Sequence, residues 1–256
     1  MNKSPKISII VVSWNVAGSL KRCLDSVFAT KYPNLEVIVI DNASSDDSVH
    51  VTKNYHDVTV VKNLQNVGFP RAVNQGFKIS TGDYFLVLNP DTRLPKDFFT
   101  KSLNFTKSHP DMGVIGPRFT DPDGSPQGSI FKEPSMFSIH PKYSLNITSD
   151  VNAVSGACMF FPRSTLDKIG PFTEKVFMYF EDLDYCRRIR AAGLKVYYNP
   201  EITIIHEHGQ SSKQSPNAQK YLWQSNLWYN GPIKHYLMAI ISWTGQKFQK
   251  LLGNNT

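Results

Sequence analysis

The sequence predicts an α/β protein with a mostly parallel central sheet flanked by helices. Strand-like and helix-like segments alternate through the first half. The strand-like runs are continuously apolar, as in strands covered on both faces. Three of those runs also end on polar side chains, and in such sheets ligands sit at the carboxyl ends of the strands.

Ile7–Ser13 is a β-branched run and the first strand. A helical pattern follows, with Leu20, Cys23, Leu24, Val27 and Phe28 on one face. Leu35–Ile40 is the second strand and runs into Asp41, after which "NASSDDS" supplies turn and cap residues for a further helix. Val58–Val61 is a third, short strand. Gly68–Phe77 reads as a helix whose stripe is Phe69, Ala72, Val73, Gly76 and Phe77, and Tyr84–Leu88 is the fourth strand. From Asp121 to Asp150 the composition shifts to Pro, Gly and Ser, which predicts an excursion over the site or a plain surface loop. Regular structure resumes over Val151–Phe161, followed by a helix from near Phe180 to Gly193 and strands at Leu194–Tyr198 and Ile202–Ile205.

The chain has 256 residues, enough for one large domain or a domain with an appendage. Its three cysteines, Cys23, Cys158 and Cys186, are too few and scattered for a disulfide framework or a zinc site and suit a reducing compartment. The short apolar run at Ile7–Val12 lacks a cleavage site and leads into a strand, so a signal peptide is not expected. No window reaches the ~20 apolar residues that a membrane span needs. The formal net charge is +7, and Ser211–Thr256 holds five lysines and no acid. That basic segment is either a soluble surface or a match for an anionic partner.

Three stretches carry chemistry. In "DYFLVLNPDTRL", Pro90 cannot donate to a ladder, so the strand stops and Asp91 projects from a rigid turn. Asn-Pro-Asp is ordinary turn chemistry; it is also a way to present one carboxylate to Mg²⁺ or Mn²⁺ shared with a diphosphate. In "FMYFEDLDYCRRIRAAG", Glu181, Asp182 and Asp184 precede Arg187, Arg188 and Arg190, an order that suits the helix dipole. The aromatic residues before the acids would half-bury them, and a partly desolvated carboxylate is a better proton acceptor. In "IIHEHGQS", His206 and His208 end a strand, either as structural residues or beside a metal-bound diphosphate.

In their order, "SIIVVSWN", "VIVIDNASSDDS", "NVGFPRAVNQG", "YFLVLNPDTRL", "VSGACMFFPRSTLDKIGPF", "FMYFEDLDYCRRIRAAG" and "IIHEHGQS" resemble a family 2 glycosyltransferase of the GT-A fold, in its rhamnosyltransferase-like branch. The resemblance implies a catalytic domain over 1–211 and a basic amphipathic helical extension over 212–256. It implies that Asp41 binds a pyrimidine base, with Ser13 and Asn15 lining the nucleotide pocket and Asn66, Gly68 and Arg71 near the base or phosphates. Asp91 would be the metal-binding carboxylate, His206 would lie at the metal and diphosphate, Asp182 would be the general base and Glu181 a supporting group. One departure stands out: Asn89 replaces the first acid of the family's Asp-X-Asp motif, which leaves a hydrogen-bonding group without charge. The Gln-X-X-Arg-Trp element of processive synthases is missing, so the expected reaction adds one sugar at a time. The expectation is inverting transfer from a dTDP-rhamnose-like or UDP-sugar donor to a hydroxyl of a saccharide or lipid-linked saccharide, in cell-surface polysaccharide or glycolipid assembly.

Ile233, Leu237, Ile240, Ile241, Phe248, Leu251 and Leu252 follow helical spacing, with Lys234, Lys247 and Lys250 largely off the stripe. Such a helix rests on an anionic membrane or packs on its own domain or on a homodimer partner. The expected location is cytoplasmic, with a peripheral seat on the inner face of the cell membrane as the sharper form. Nucleic-acid binding is not expected, since no recognition module accompanies the lysines. Two other enzyme classes are disfavoured. A sugar-phosphate nucleotidyltransferase needs a Gly- and Lys-rich phosphate loop that "VVSWNVAGSL" does not supply, and a nicotinamide enzyme needs a G-x-G-x-x-G after the first strand. A non-catalytic nucleotide-sugar-binding subunit remains the alternative, and the presence of both Asp91 and Asp182 argues against it.

Overall fold

The computed structural model describes residues 4–134, 144–207 and 216–251, with side chains described as far as Ile241. His208 and the side chains of Phe248, Leu251 and Leu252 therefore lie outside the described residues.

The first half alternates as expected: β1 (Ile7–Ser13), α1 (Ala17–Ala29), β2 (Leu35–Asp41), α2 (Ser48–Thr52), β3 (Val58–Lys62), α3 (Phe69–Ile79) and β4 (Tyr84–Leu88). Next come β5 (Thr92–Arg93), α4 (Phe98–Ser108), β6 (Met112–Thr120) and the short strands β7 (Pro126–Gln127), β8 (Ile130–Phe131) and β9 (Ser149–Asp150). The second half continues with β10 (Ala153–Val154), β11 (Cys158–Pro162), α5 (Arg163–Ile169), α6 (Glu181–Ala191) and β12 (Lys195–His206). Two helices close the chain, α7 (Ala218–Asn230) and α8 (Pro232–Leu251).

The main sheet runs β3-β2-β1-β4-β11-β6-β12-β5. Its pairings are parallel from β3 through β4 and again between β6 and β12, while β11 lies antiparallel to both its neighbours. Strand alternation sends Ile9, Val11, Val37 and Val39 into a core beneath α1 and α4. It sends Ile10, Ile38 and Ile40 into a second core with Ala72, Val73 and Phe77 of α3 and Tyr185 and Ile189 of α6. With both faces covered, β1 has no water-facing side, which is why it reads as an unbroken apolar run.

Three expectations change. Val151–Phe161 is two strands: β10 pairs with β8 in a separate ribbon and β11 joins the main sheet, so Ser155-Gly156-Ala157 is the step between sheets. Leu194–Tyr198 and Ile202–Ile205 belong to the single strand β12, which keeps its pairing with β6 across a register shift between Asn199 and Thr203. The "NASSDDS" segment serves α1 as well as α2. Oδ2 of Asp46 accepts from the Ala17 amide at 2.9 Å and Oγ of Ser48 from the Val16 amide at 3.2 Å, which satisfies two of the orphan donors at the start of α1 from a distant loop.

Candidate active site

The carboxyl ends of β1, β2 and β4 open onto a cavity of about 570 Å³. Asn66, Asn89, Asp91, Glu181, Asp182 and His206 all line it, so six of the expected residues meet in one place.

Asp91 and His206 meet because of β5. The chain leaves β4 through Asn89-Pro90, turns, and pairs β5 antiparallel to the end of β12, with Thr92 opposite His206. The Glu207 amide donates to the Asp91 carbonyl at 2.8 Å. Glu207 is itself held by Arg22 of α1 and by Arg93 at 2.9 Å, which pins the end of β12. Nε2 of His206 then stands 3.5 Å from Oδ1 of Asp91, and both residues are buried. The carboxylate at the cavity wall suits Mg²⁺ or Mn²⁺, and an imidazole nitrogen beside it suits Mn²⁺ better than the oxygen-seeking Mg²⁺. No group of three or more His, Cys, Asp or Glu residues able to hold a metal occurs among the described residues. The remaining coordination positions would fall to water and substrate oxygens, as magnesium-type sites commonly arrange.

Glu181 and Asp182 enter from another side. Tyr179 and Phe180 both adopt left-handed backbone (φ 70° and 66°), a strained conformation for bulky residues. Phe180 in that conformation begins α6 and turns both acids toward the cavity. Oδ2 of Asp182 accepts from the Gly156 amide at 3.0 Å and Oδ1 from the Leu183 amide at 2.8 Å. Burial pushes both carboxyls up, and burial together with the charge of Asp182 takes Glu181 to about 8. Two backbone donors favour the ionised form of Asp182, whereas Oε2 of Glu181 is buried with no partner. The pair therefore keeps one negative charge near neutrality, with the proton on Glu181.

Ser13 and Asp41 face each other in register at the ends of β1 and β2 and do not line the cavity. Oδ2 of Asp41 accepts from the Ser44 amide at 3.1 Å, while Oδ1 of Asp41 and Oγ of Ser13 are buried with no partner. Asn15, left-handed at φ 53°, accepts from the Ser45 amide at 2.7 Å through Oδ1 and fastens the loop after β2.

Like Ser13, Asn15 and Asp41, the expected residues Gly68 and Arg71 do not line the cavity. Arg71 is exposed on α3 and its Nε donates to Glu174 at 3.1 Å, a charge partner that holds it away. Gly68 is packed under Phe177, and a Cβ there would lie 2.5 Å from the Phe177 carbonyl oxygen. The Phe69 amide donates to that carbonyl at 2.8 Å, and the Gly68 amide to Asn66 at 3.0 Å. With Pro70 next, those first donors of α3 are committed and do not point at an anion.

Tyr179, one of the aromatic residues before the acids, lines the cavity as well, together with residues that have no functional signal of their own: Trp14, Asn42, Phe131, Met178 and Tyr221. Asn42, directly after Asp41, carried the only local hint. Tyr221 comes from α7, which packs on the loop before α6. Its ring stacks on Phe177 at 4.3 Å, and Ser225 Oγ donates to the Met178 carbonyl at 2.8 Å.

A half-parallel sheet with a carboxylate at the tip of β4 and an acidic helix start across a cavity is the GT-A arrangement of nucleotide-sugar-dependent transferases. Residues 8–170 match the model of glycosyl transferase family 2, and the chain belongs to that family. It is 26% identical over 278 residues to the N-acetylglucosaminyl-diphospho-decaprenol L-rhamnosyltransferase of Mycobacterium tuberculosis, covering 92% of this chain and 90% of that one. It is 24% identical to the low-salt glycan biosynthesis hexosyltransferase Agl10 of Haloferax volcanii over 78% of this chain and 66% of the relative. Among solved structures the fold matches Staphylococcus aureus TarS 1–349 in complex with UDP-GlcNAc, with a TM-score of 0.65, 18% identity, and coverage of 88% of this chain and 65% of that one. It also matches the mannosyltransferase PcManGT of Pyrobaculum calidifontis in complex with GDP-Man and Mn²⁺, at TM-score 0.63 and 18% identity, over 94% of this chain and 74% of that one.

Proposed function

We propose that the chain transfers one sugar from a nucleoside-diphosphate sugar to an acceptor hydroxyl with inversion, in cell-surface polysaccharide or glycolipid assembly. The observation that carries this reading is the placement of Asp91 and Asp182 on one cavity. Asp91 and His206 would hold a divalent cation with the donor diphosphate, and such a cation supplies charge neutralisation for the departing nucleotide. Asn89 donates to or accepts from donor oxygens without adding charge. Ser13 and Asp41, with a buried hydroxyl and carboxylate oxygen lacking partners, are the donor and acceptor for the base once the loops after β1 and β2 adjust. Asp182 takes the proton of the attacking hydroxyl, a contribution of about 10²–10⁴-fold. Glu181, protonated, leaves that single charge on Asp182.

The rhamnosyltransferase relative is named for a lipid-linked acceptor, and the C-terminal helices support the same acceptor class here. No described helix is long and apolar enough to cross a membrane. Yet Leu222, Trp223, Ile233, Tyr236, Leu237 and Ile240 are exposed on α7 and α8, in a segment with lysines and no acid. An apolar face in a purely basic segment fits an anionic bilayer, and binding through it would bring the cavity wall formed by Tyr221 near the lipid surface. The 1–211 and 212–256 units thus act together, the second supplying both a membrane seat and part of the wall. Co-sedimentation with phosphatidylglycerol vesicles is expected for the full chain and not for a chain lacking residues 232–256. Equal binding by the two, or dimerisation that covers the face, would contradict the membrane seat.

The donor is tested by calorimetric titration of UDP-, dTDP- and GDP-sugars with Mn²⁺, Mg²⁺ or EDTA. One donor class is expected to bind with metal and to weaken at least tenfold in EDTA. Binding of none, or binding indifferent to metal, would overturn the metal-assisted reading.

A further inference from the structure

The loop after β6 reaches back to His206. The turn from Asp121 to Ser125 is closed by the Asp121 amide donating to the Ser125 carbonyl at 2.9 Å, and β7 then pairs with β6 and carries Gln127 beneath the imidazole. Nε2 of Gln127 donates to Oδ1 of Asp121 at 3.0 Å and, more weakly, to the His206 carbonyl at 3.4 Å. A carboxylate only accepts, so this contact fixes the amide orientation and leaves Oε1 as the atom facing His206. Oε1 lies 2.5 Å from Nδ1 of His206. An amide oxygen cannot donate, so Nδ1 must carry the proton. In the neutral imidazole Nε2 then bears a lone pair, and it is Nε2 that faces Asp91 at 3.5 Å.

We infer that Gln127 is a positioning residue that selects the Nδ1-protonated tautomer of His206 and so turns Nε2 into a metal-binding nitrogen beside Asp91. The inference rests on the proposed metal-assisted reading for its purpose, though not for its geometry. Hydrogen bonds of this kind behind a ligand imidazole fix its tautomer and ring orientation, and their loss costs about 10–100-fold in metal affinity. Asp121 acts one step further out, by orienting the amide. A stretch of the Pro/Gly/Ser-rich excursion is therefore tied to the chemistry of the cavity.

The test compares the full-length chain with Gln127→Leu and Gln127→Glu. ¹⁵N NMR at pH 8 reads the His206 ring, assigned by the signals lost in His206→Asn; manganese EPR reads Mn²⁺ affinity with UDP, dTDP or GDP present. The native chain is expected to hold its proton on Nδ1, with Nε2 unprotonated. Gln127→Leu should move proton population onto Nε2 and weaken Mn²⁺ about 10–100-fold. Gln127→Glu still accepts from Nδ1–H and, combined with Asp121→Asn so that no second carboxylate faces the new one, should retain both readouts, and melting temperatures establish that the variants fold. A native ring protonated on Nε2, or a tautomer and Mn²⁺ affinity unmoved in Gln127→Leu, would overturn the assignment. If the native chain binds no Mn²⁺ with any of the three nucleotides, the metal-assisted reading fails, and the tautomer comparison still decides the role of Gln127.

Discussion

The Gly156 amide donates to Oδ2 of Asp182 at 3.0 Å, across the step where the chain passes from the β8–β10 ribbon into the main sheet. That contact keeps negative charge on Asp182, while its neighbour Glu181 is pushed up to about 8 by burial and by that charge. A carboxyl whose folded pKa lies above its unfolded value of about 4.3 binds more protons in the native state. Stability therefore falls as pH rises from about 4.3 to about 8. Glu181→Gln is expected to remove this slope and to melt higher than the native chain at pH 8, with a smaller difference at pH 4. Parallel stability profiles for the two proteins would show that Glu181 is not the proton holder.

Glu36 predicts the opposite slope. Burial works against its charge, but Lys6 at 2.7 Å, Ser8 at 2.5 Å and Thr81 at 2.8 Å hold its pKa to about 2. Its contribution is complete above about 4.3 and is lost as pH falls through about 2. Glu36→Gln should destabilise the protein at pH 7 and much less at pH 2, as read by denaturant unfolding. An equal effect at both pH values would assign the loss to packing and not to charge.

Gly68 tests the seam between α3 and the loop before α6. With φ at 86° and the Phe177 carbonyl 2.5 Å from any added Cβ, Gly68→Ala must displace the loop that leads to Glu181. A loss of about 1–3 kcal/mol is expected from the backbone strain alone, seen as a lower denaturation midpoint. A midpoint unchanged from the native chain would show that the loop yields freely.

The fold was legible where one physical pattern decided it. β1, β2 and β4 read as buried strands because helices cover both sheet faces, and α1 and α3 show their apolar stripes. Phe98–Thr120, which forms α4 and β6, carries no expectation: polar residues interrupt the apolar ones in "FFTKSLNFTKS", and two glycines and a proline break up the strand "MGVIGPRFT". Only the family resemblance implies the meeting of Asp91 with His206; the antiparallel pairing of β5 with β12 that causes it spans two residues and leaves no local signal. Arg71 lies off the cavity wall, and sequence spacing does not reveal Glu174, 103 positions away, as its partner. Gln127 carries no signal of its own in the Pro/Gly/Ser-rich stretch, although Asp121 and β7 hold it in register.

The division of labour across the cavity is tested most directly by donor calorimetry in Mn²⁺ on the native chain, Asp91→Ala and Asp182→Asn. Asp182→Asn should bind the donor as tightly as the native chain, and Asp91→Ala at least tenfold more weakly. Native affinity in Asp91→Ala, or its loss in Asp182→Asn, would contradict a cation side and a proton-accepting side on one cleft.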